Sequence, residues 1–252
     1  MRFLILLAFA FAVALPSSGT AAEWGNLKMR FVYDGEPPQP KFIKTGTNSE
    51  IPDESLLVNE RDRGIKNVCV WLLHRGDAPL VAHPDYEKSA ADTVTMKIVA
   101  GSVVPRFGLL RTTQMLRFVN EDVVGYNPKI DFFANQPFNR LLPQFGSITT
   151  QFPSPEHTPV LVSCSIHPWT GYLFVRDNPY FALSDERGQL IIKNVPVGER
   201  TFVVWHEKLG YVRKVVRADV PTEWHRGRLA GEIKSGDNNL GEIRLTPEQF
   251  RK

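Results

Sequence analysis

The stretch VSCSIHPWTGYLFVRDNPYF, residues 162–181, places a thiol and an imidazole close together in the chain. Only two residues separate Cys164 from His167, and both side chains are ligands that copper accepts. A branched apolar segment precedes the pair and an aromatic segment follows it, so the pair is predicted to lie at a strand end. The pattern indicates either a metal site or the remains of one.

Short segments rich in branched and aromatic residues recur around this pair, separated by Gly, Pro, Asn and Asp. No long segment carries a sustained apolar period of about 3.6 residues, and only the polar region 79–91 is compatible with a short helical turn. The coarse fold is therefore predicted to be all-β, as a sandwich or barrel. The predicted strands of this region are 27–33, 67–73, 93–100, 114–120, 159–164 and 171–177.

A second series of strands and turns begins near Asn178 and continues to the end of the chain. It alternates short apolar strands with D-x-x-G and P-x-G turns. This pattern resembles the small transthyretin-like sandwiches of carboxypeptidase regulatory-like modules. The resemblance implies a small β-sandwich module over residues 178–252. Because a module of this size buries limited surface, we expect it to pack on the preceding domain.

One strand of this second series, TFVVWHE, carries bulky apolar groups on both faces. Its alternating side chains put Thr201, Val203 and Trp205 on one face and Phe202, Val204 and His206 on the other. Neither face is expected to be freely solvated. We therefore predict that one face fills the core of the module and that the other meets the neighbouring domain.

The N-terminus has the pattern of a secretory signal peptide. Arg2 precedes an apolar run over residues 3–15, and small and polar residues follow at 17–22. The run is shorter than the roughly 20 residues that a membrane span needs. We therefore expect a signal peptide over residues 1–22, cleaved near Ala22, and a soluble, periplasmic or secreted protein without a membrane span.

Composition and motifs argue against several classes of function. The formal net charge of +3 falls to +2 once Arg2 is removed, which is too weak for a nucleic-acid-binding face. The chain contains no Gly-x-Ser-x-Gly elbow, phosphate-binding loop or His-Glu-x-x-His motif. We expect no nucleic-acid partner, no catalytic residues and no enzymatic activity.

Two motifs resemble the cupredoxin family. Residues 164–172, C-S-I-H-P-W-T-G-Y, resemble the C-x-x-H-P-x-M ligand loop of amicyanin-like cupredoxins. Residues 120–127, N-E-D-V-V-G-Y-N, resemble the N-x-D-x-x-x-H-N segment that carries the first copper histidine of the family. Matching motifs are densest between 101 and 206, and the flanking segments resemble exported methylamine-utilisation-type proteins. The resemblance implies a Greek-key cupredoxin-like β-sandwich over residues 23–177.

The resemblance implies four ligand positions, Tyr126, Cys164, His167 and Thr170, which should cluster at one end of the sandwich. Two of them depart from the family pattern, because Tyr126 replaces the first histidine and Thr170 replaces the axial methionine. A phenol titrates near pH 10 and must lose its proton to bind metal well, and a threonine hydroxyl is a poor copper ligand. Copper binding is therefore in doubt on chemical grounds.

Other residues offer alternatives at this site. The histidines that are available to replace a lost imidazole are interpreted as surface or structural residues, and they are His74, His83, His157 and His206. Without metal, Cys164 is either a buried thiol or half of a disulfide, and His167 bonds a backbone carbonyl in its turn. Cys69 is the only partner for such a disulfide, and the sequence leaves that pairing open.

Three functions follow from these residues. The leading hypothesis is an exported cupredoxin-like binding or structural protein with a degraded type 1 copper site. The alternative is a periplasmic electron-transfer protein with an atypical mononuclear copper centre, and both imply an exported redox or binding partner. The third is a carbohydrate-binding sandwich, for which Trp169 is the expected exposed ring, whereas Trp71 and Trp205 are expected in the core.

Overall fold

The computed structural model describes residues 23–44, 50–74 and 80–251. Over these residues the chain consists almost entirely of β-strands and their connections, as the short apolar segments predicted. No helix among them is long and apolar enough to cross a membrane. The predicted signal peptide, residues 1–22, lies outside the described residues.

Twenty-one strands and three short 3-10 helices make up the described part of the chain. The first ten strands are β1 (Trp24–Tyr33), β2 (Phe42–Lys44), β3 (Glu50–Pro52), β4 (Cys69–Leu72), β5 (Thr93–Val99), β6 (Ser102–Val104), β7 (Phe107–Arg111), β8 (Met115–Asn120), β9 (Pro128–Ile130) and β10 (Phe138–Asn139). The others are β11 (Ser147–Thr150), β12 (Val160–Cys164), β13 (Thr170–Arg176), β14 (Phe181–Leu183), β15 (Gln189–Pro196), β16 (Gly198–His206), β17 (Gly210–Tyr211), β18 (Lys214–Arg217), β19 (Val220–Glu223), β20 (Arg228–Ile233) and β21 (Gly236–Leu245). The 3-10 helices span Pro84–Ser89, His225–Gly227 and Pro247–Phe250.

Strands β5 to β13 form a cupredoxin-like β-sandwich. One sheet has the strand order β11-β8-β5-β6, and the other has the order β10-β9-β12-β13-β7. β5 pairs in parallel with β8, and β7 with β13, so the chain crosses between the two sheets. Alternate side chains of both sheets point inwards and fill one apolar core, which includes Met96, Phe118, Val162 and Leu173.

The remaining long strands form a second β-sandwich. One of its sheets has the order β15-β1-β21-β18-β19, and the other has the order β14-β4-β16-β17, with β20 also paired to β16. A second apolar core lies between these sheets, and Phe31, Val70, Phe202 and Ile243 belong to it. The hairpin of β2 and β3 forms a separate two-stranded ribbon.

Both ends of the chain build the second sandwich, which differs from the predicted division into residues 23–177 and 178–252. β1 pairs antiparallel with β15 and parallel with β21, so an N-terminal strand lies between two C-terminal ones. β4 likewise pairs with β14 and β16. The apolar alternation in β1 predicts a half-buried strand, but it carries no information about which distant strand completes the hydrogen bonds.

The cupredoxin-like sandwich is therefore inserted between two paired strands. β4 and β14 are antiparallel neighbours, with Trp71 opposite Phe181. The amide of Leu72 also donates to the carbonyl of Tyr180 at 2.8 Å. After β4, Leu80 and Tyr86 still pack on the core of the second sandwich. The chain then builds β5 to β13 and returns at β14 beside β4.

An apolar interface joins the two sandwiches. Trp71 on β4 meets Phe174 on β13 with ring centroids 4.6 Å apart, and Trp205 on β16 meets Phe107 on β7 at 5.8 Å. Phe202, on the opposite face of β16, belongs to the core of the second sandwich. The predicted burial of both faces of this strand is confirmed, as is the placement of Trp71 and Trp205 in the interior.

A buried ion pair crosses the same interface. Arg106, just before β7, donates from Nε to Oε1 of Glu207 at 3.0 Å and from Nη2 to Oε2 at 2.7 Å. Glu207 follows β16, and the two side chains are only 14% and 8% exposed. The Nη1 group of Arg106 also donates to the carbonyl of Thr170 at 2.8 Å. The guanidinium therefore ties β13 of the first sandwich to β16 of the second.

Candidate metal centre

Cys164 ends β12 at the edge of the first sandwich. The register of β12 with β9 sets Cys164 opposite Pro128. The amide of Asn127 donates to the Cys164 sulfur at 3.3 Å, and the amide of Ser165 donates to the carbonyl of Asn127 at 3.1 Å. These backbone contacts fix the thiol beside the segment that leads into β9.

His167 lies on the turn between β12 and β13 and contacts two of the predicted ligand positions. Its Nδ1 atom is 3.7 Å from the sulfur of Cys164. Its ring packs against that of Tyr126 with centroids 4.5 Å apart. Tyr126, Cys164 and His167 are therefore brought together at one end of the sandwich, although about 40 residues separate the first from the others.

The phenol of Tyr126 is held by a carboxylate rather than directed at the cysteine. Its hydroxyl donates to Oδ2 of Asp122 at 2.6 Å, and the Asp122 carboxylate also accepts from the amides of Ala100 at 2.8 Å and Gly101 at 2.9 Å. Burial opposes the charged carboxylate, but these hydrogen bonds outweigh it and hold the pKa of Asp122 below its usual range.

The same contacts keep Tyr126 protonated. Burial is the largest cause that raises the pKa of Tyr126 above its ordinary value, and the neighbouring charge of Asp122 raises it further. The ring is almost completely buried, and its backbone pairs with that of Leu142. A phenol that retains its proton and donates it to a carboxylate is a poor ligand for a metal ion.

The predicted position of Thr170 at this cluster is corrected by the pleat of β13. Thr170 opens the strand, and it shares a face with Tyr172 and Phe174, which point into the interface between the sandwiches. Its hydroxyl accepts from Nη2 of Arg106 at 3.2 Å. The side chain thus belongs to the ion-pair cluster of the interface, on the opposite face of the sheet from Leu173 and the core.

Trp169 is buried, which contradicts its predicted exposure. It is 2% exposed and belongs to the core of the first sandwich. Its ring centroid lies 6.4 Å from that of Tyr126, and its Nε1 group has no hydrogen-bond partner among the described residues. A buried indole at this position cannot form an open stacking surface for a sugar.

Two of the alternative histidines and the second cysteine have structural surroundings, whereas His157 is exposed. His83 caps the 3-10 helix Pro84–Ser89 by accepting from the amide of Asp85, and His206 is fully buried against Phe250 in the second sandwich. Both cysteines are free thiols, and Cys69 lies fully buried in the interface, where burial raises its pKa far above the usual range. Across the described ranges, no group of three or more His, Cys, Asp or Glu side chains is arranged to hold a metal ion.

Exposed apolar side chains surround this end of the sandwich. Asn120 joins two of the loops there, because its Nδ2 group donates to the carbonyls of Val124 and Pro143. The loops and the Cys164–His167 turn carry large side chains that are 45% to 72% exposed, namely Val123, Val124, Leu141, Phe145 and Ile166. We call these five residues the apolar rim.

Sequence reasoning missed two residues that decide the chemistry of this region. Asp122 is the aspartate of the N-x-D segment, and its spacing four residues before Tyr126 was the available signal for the hydrogen bond between them. Arg106 had no such signal, because its partner Glu207 is 101 residues further along the chain.

No family model and no curated protein matches the chain. Among solved structures, the copper-containing nitrite reductase NirK from Thermus scotoductus SA-01 is 23% identical over 41% of this chain and 25% of its own, with a TM-score of 0.30. A purple cupredoxin from Nitrosopumilus maritimus is 19% identical over 32% of this chain and 97% of its own, with a TM-score of 0.28. The amicyanin from Paracoccus versutus is 14% identical over 42% of this chain and 97% of its own, with a TM-score of 0.30.

Structural similarity at these TM-scores does not by itself support the assignment of a fold or a function. The description of the inserted domain as a cupredoxin-like β-sandwich rests on its two packed sheets, their crossed connections and their single core. The nitrite reductase is also about four times as long as the part of it that this chain covers.

Proposed function

We propose that the protein is an exported cupredoxin-like binding protein whose type 1 copper position has lost its metal-binding chemistry. The hydrogen bond from Tyr126 to Asp122 carries this proposal. It engages the phenol hydroxyl of Tyr126, the residue at the position where a third strong metal ligand would be needed. A type 1 site requires two imidazoles and a thiolate. Cys164 and His167 supply one donor of each kind, and the protonated phenol supplies none.

Binding, rather than catalysis, is the activity that the surroundings of this site favour. The apolar rim exposes five large side chains around the Tyr126–His167 end. Large apolar side chains that are exposed together at one end of a domain are typical of protein–protein contact sites. We therefore propose a protein partner for this end of the first sandwich. Export is supported by the signal-peptide pattern of residues 1–22.

The test of the copper proposal is metal analysis of the purified mature protein after incubation with Cu(II) and removal of free metal. The expected result is a colourless protein with less than stoichiometric copper. An intense visible band from a thiolate–copper bond would overturn the proposal. It would instead favour the electron-transfer alternative. The proximity of the Cys164 sulfur to His167 Nδ1 is the observation that supports this alternative.

The partner proposal is tested by surface substitutions that leave the core intact. Phe145→Ser removes a rim side chain that is 66% exposed, and Val220→Ser removes a comparably exposed one, at 60%, from an edge strand of the second sandwich. Partner retention from a cell-envelope extract should fall for Phe145→Ser and persist for Val220→Ser. Equal retention by both variants would place the contact surface elsewhere.

A further inference from the structure

A cavity of about 350 Å³ opens on the second sandwich and shares no residue with the candidate metal centre. It lies between residues 38–41, the loop 52–60 and the 3-10 helix Pro247–Phe250. Its size falls within the roughly 300–1,000 Å³ typical of small-molecule sites.

Aromatic and aliphatic side chains form the floor and one wall of the cavity. Tyr33 and Phe250 pack with ring centroids 5.5 Å apart, and they are only 6% and 9% exposed. Leu56 and Val58 pack on the adjacent apolar core and complete this wall. Such a surface favours an apolar ligand body by burial of its area.

The walls are preformed by short backbone contacts. The amide of Asp53 donates to the carbonyl of Lys41 at 2.8 Å, and the amide of Ser55 donates to Oδ1 of Asp53 at 3.0 Å. Pro247 is seated directly on Gly35, since a Cβ at Gly35 would lie 2.6 Å from the Pro247 ring. A rigid cavity loses little conformational entropy when a ligand enters.

One tyrosine hydroxyl and two cationic side chains belong to the lining of this cavity. The ring of Tyr33 is buried against Phe250, and its hydroxyl is the polar end of that wall. Burial is the main cause that raises the pKa of Tyr33, so the hydroxyl stays a donor. Arg251 makes no salt bridge within those residues, and Lys208 Nζ is 4.0 Å from Asp53, at the limit of an ion pair.

We propose that this cavity is a second ligand site, which takes a small aromatic or aliphatic carboxylate. The apolar body would lie against Tyr33 and Phe250, and the carboxylate would meet the Tyr33 hydroxyl and the charges of Arg251 and Lys208. Among the lining residues, charge favours an anion over a cation, because three are cationic against two carboxylates, and one of these, Asp53, already accepts a backbone amide. The Glu248 carboxylate lies near Tyr33 and Arg251 but is not part of the lining. The proposal is independent of the function of the first sandwich.

The test uses three probes of one shape and different charge, titrated calorimetrically into the full mature protein. Phenylbutyrate should bind about tenfold more tightly than phenylbutanol, because a charged acceptor strengthens the hydrogen bonds of Tyr33 and Arg251, and phenylbutylamine should bind most weakly. Equal affinity for the three probes, or no binding of phenylbutyrate at millimolar concentration, would overturn the proposal.

Substitutions locate the binding. Tyr33→Phe removes only the hydroxyl and Arg251→Gln only the charge, and each should weaken the binding of phenylbutyrate by about tenfold and that of phenylbutanol by clearly less. Arg213→Gln, at an exposed arginine that does not line the cavity, is the matched control and should have no effect. Val58→Trp should fill the cavity and abolish binding. If Tyr33→Phe binds phenylbutyrate as the native protein does, the site lies elsewhere and the proposal fails.

Discussion

At the scale of single residues, Tyr126 is the side chain on which the proposed loss of metal binding depends. Its ring lies beside His167, and the amide of the next residue, Asn127, contacts the Cys164 sulfur. Tyr126→His should therefore place a second imidazole next to the thiolate and produce copper binding at about one ion per chain, with an intense visible band. Absorption spectroscopy during copper titration measures this.

Tyr126→Phe is the matched control for that experiment, because it also breaks the hydrogen bond to Asp122 but adds no ligand. It should remain colourless with copper. Thr170→Met is not needed, since the Thr170 side chain points into the interface. A folded Tyr126→His protein that stays colourless would show that the Cys164–His167 turn does not have ligand geometry.

The burial of His206 leads to a second prediction, which concerns how the free energy of unfolding depends on pH. Burial, followed by the positive charges of Lys208 and Arg106, lowers the pKa of His206 to about 3. An unfolded histidine titrates near 6.5, so the stabilisation is fully present above that pH and is lost as pH falls towards the folded value. Between about pH 7 and pH 5 the loss should be roughly 2 kcal/mol. Urea unfolding at the two pH values measures it.

His206→Gln should remove most of this pH dependence, whatever it does to the stability at neutral pH. His157→Gln, at an exposed histidine, should leave the dependence unchanged. The same slope in the His206→Gln protein as in the native one would show that other groups cause the acid sensitivity.

The residues of the candidate site differ in how far the sequence could locate them. The C-x-x-H spacing and the N-x-D segment were sufficient to bring Cys164, His167 and Tyr126 together. They failed for Thr170, because β13 begins at that residue and the pleat, not the motif, decides which way its side chain points. The exposure of Trp169 was predicted wrongly for a related reason. Neighbouring side chains at the end of a strand alternate between the core and the interface, and that of Trp169 lies in the core.

At the scale of the elements, β7, β13 and β16 are held together by one buried charge pair. Glu207→Ala should cost about 3–5 kcal/mol in the free energy of unfolding, because it leaves the Arg106 guanidinium buried without its partner. Asp131→Ala, which breaks the exposed Lys129–Asp131 pair, should cost less than about 1 kcal/mol. Chemical denaturation of the two variants provides the comparison.

A double substitution separates burial of charge from loss of packing. Arg106→Met with Glu207→Leu removes both charges and should recover most of the stability lost in Glu207→Ala. If the double variant is as unstable as the single one, the hydrogen bonds of Arg106 to Thr170 matter more than the charge pair.

Elements were easier to predict than their pairings. The predicted strand 159–164 corresponds to β12, the predicted strand 171–177 to β13, and the helical turn expected within 79–91 to the 3-10 helix Pro84–Ser89. Local composition determines these elements, because branched and aromatic residues favour extended backbone. The partners of β1 were not predictable in this way, since both lie more than 150 residues away in the sequence.

At the scale of the whole molecule, the insertion predicts which fragments fold. A protein in which residues 74–178 are replaced by Asn-Gly should retain the second sandwich, because β4 and β14 are already antiparallel neighbours and this turn closes a hairpin. It should unfold cooperatively but expose Trp71 and Trp205, and so bind apolar dyes. Circular dichroism during thermal unfolding and dye fluorescence measure the two properties.

The fragment 23–176 should behave differently, because it contains β1 and β4 but none of their partners. We expect it to aggregate and to lack a cooperative transition. A monomeric fragment 23–176 with the melting temperature of the full chain would contradict the pairing of β1 with β15 and β21.

The parallel pairing of β1 with β21 also determines the order in which the chain can mature during synthesis. The ribosome makes the segment around Lys28 and Arg30 first and its partner strand last, after every strand of the inserted sandwich has emerged. Domains generally fold as units, and distant parallel pairing is slow. The backbone hydrogen-bonding groups at both edges of β1 therefore stay unpaired until its partner strands have been synthesised. Lys28 and Arg30 protect it through mutual repulsion between copies, until Asp237 and Glu242 arrive to neutralise them.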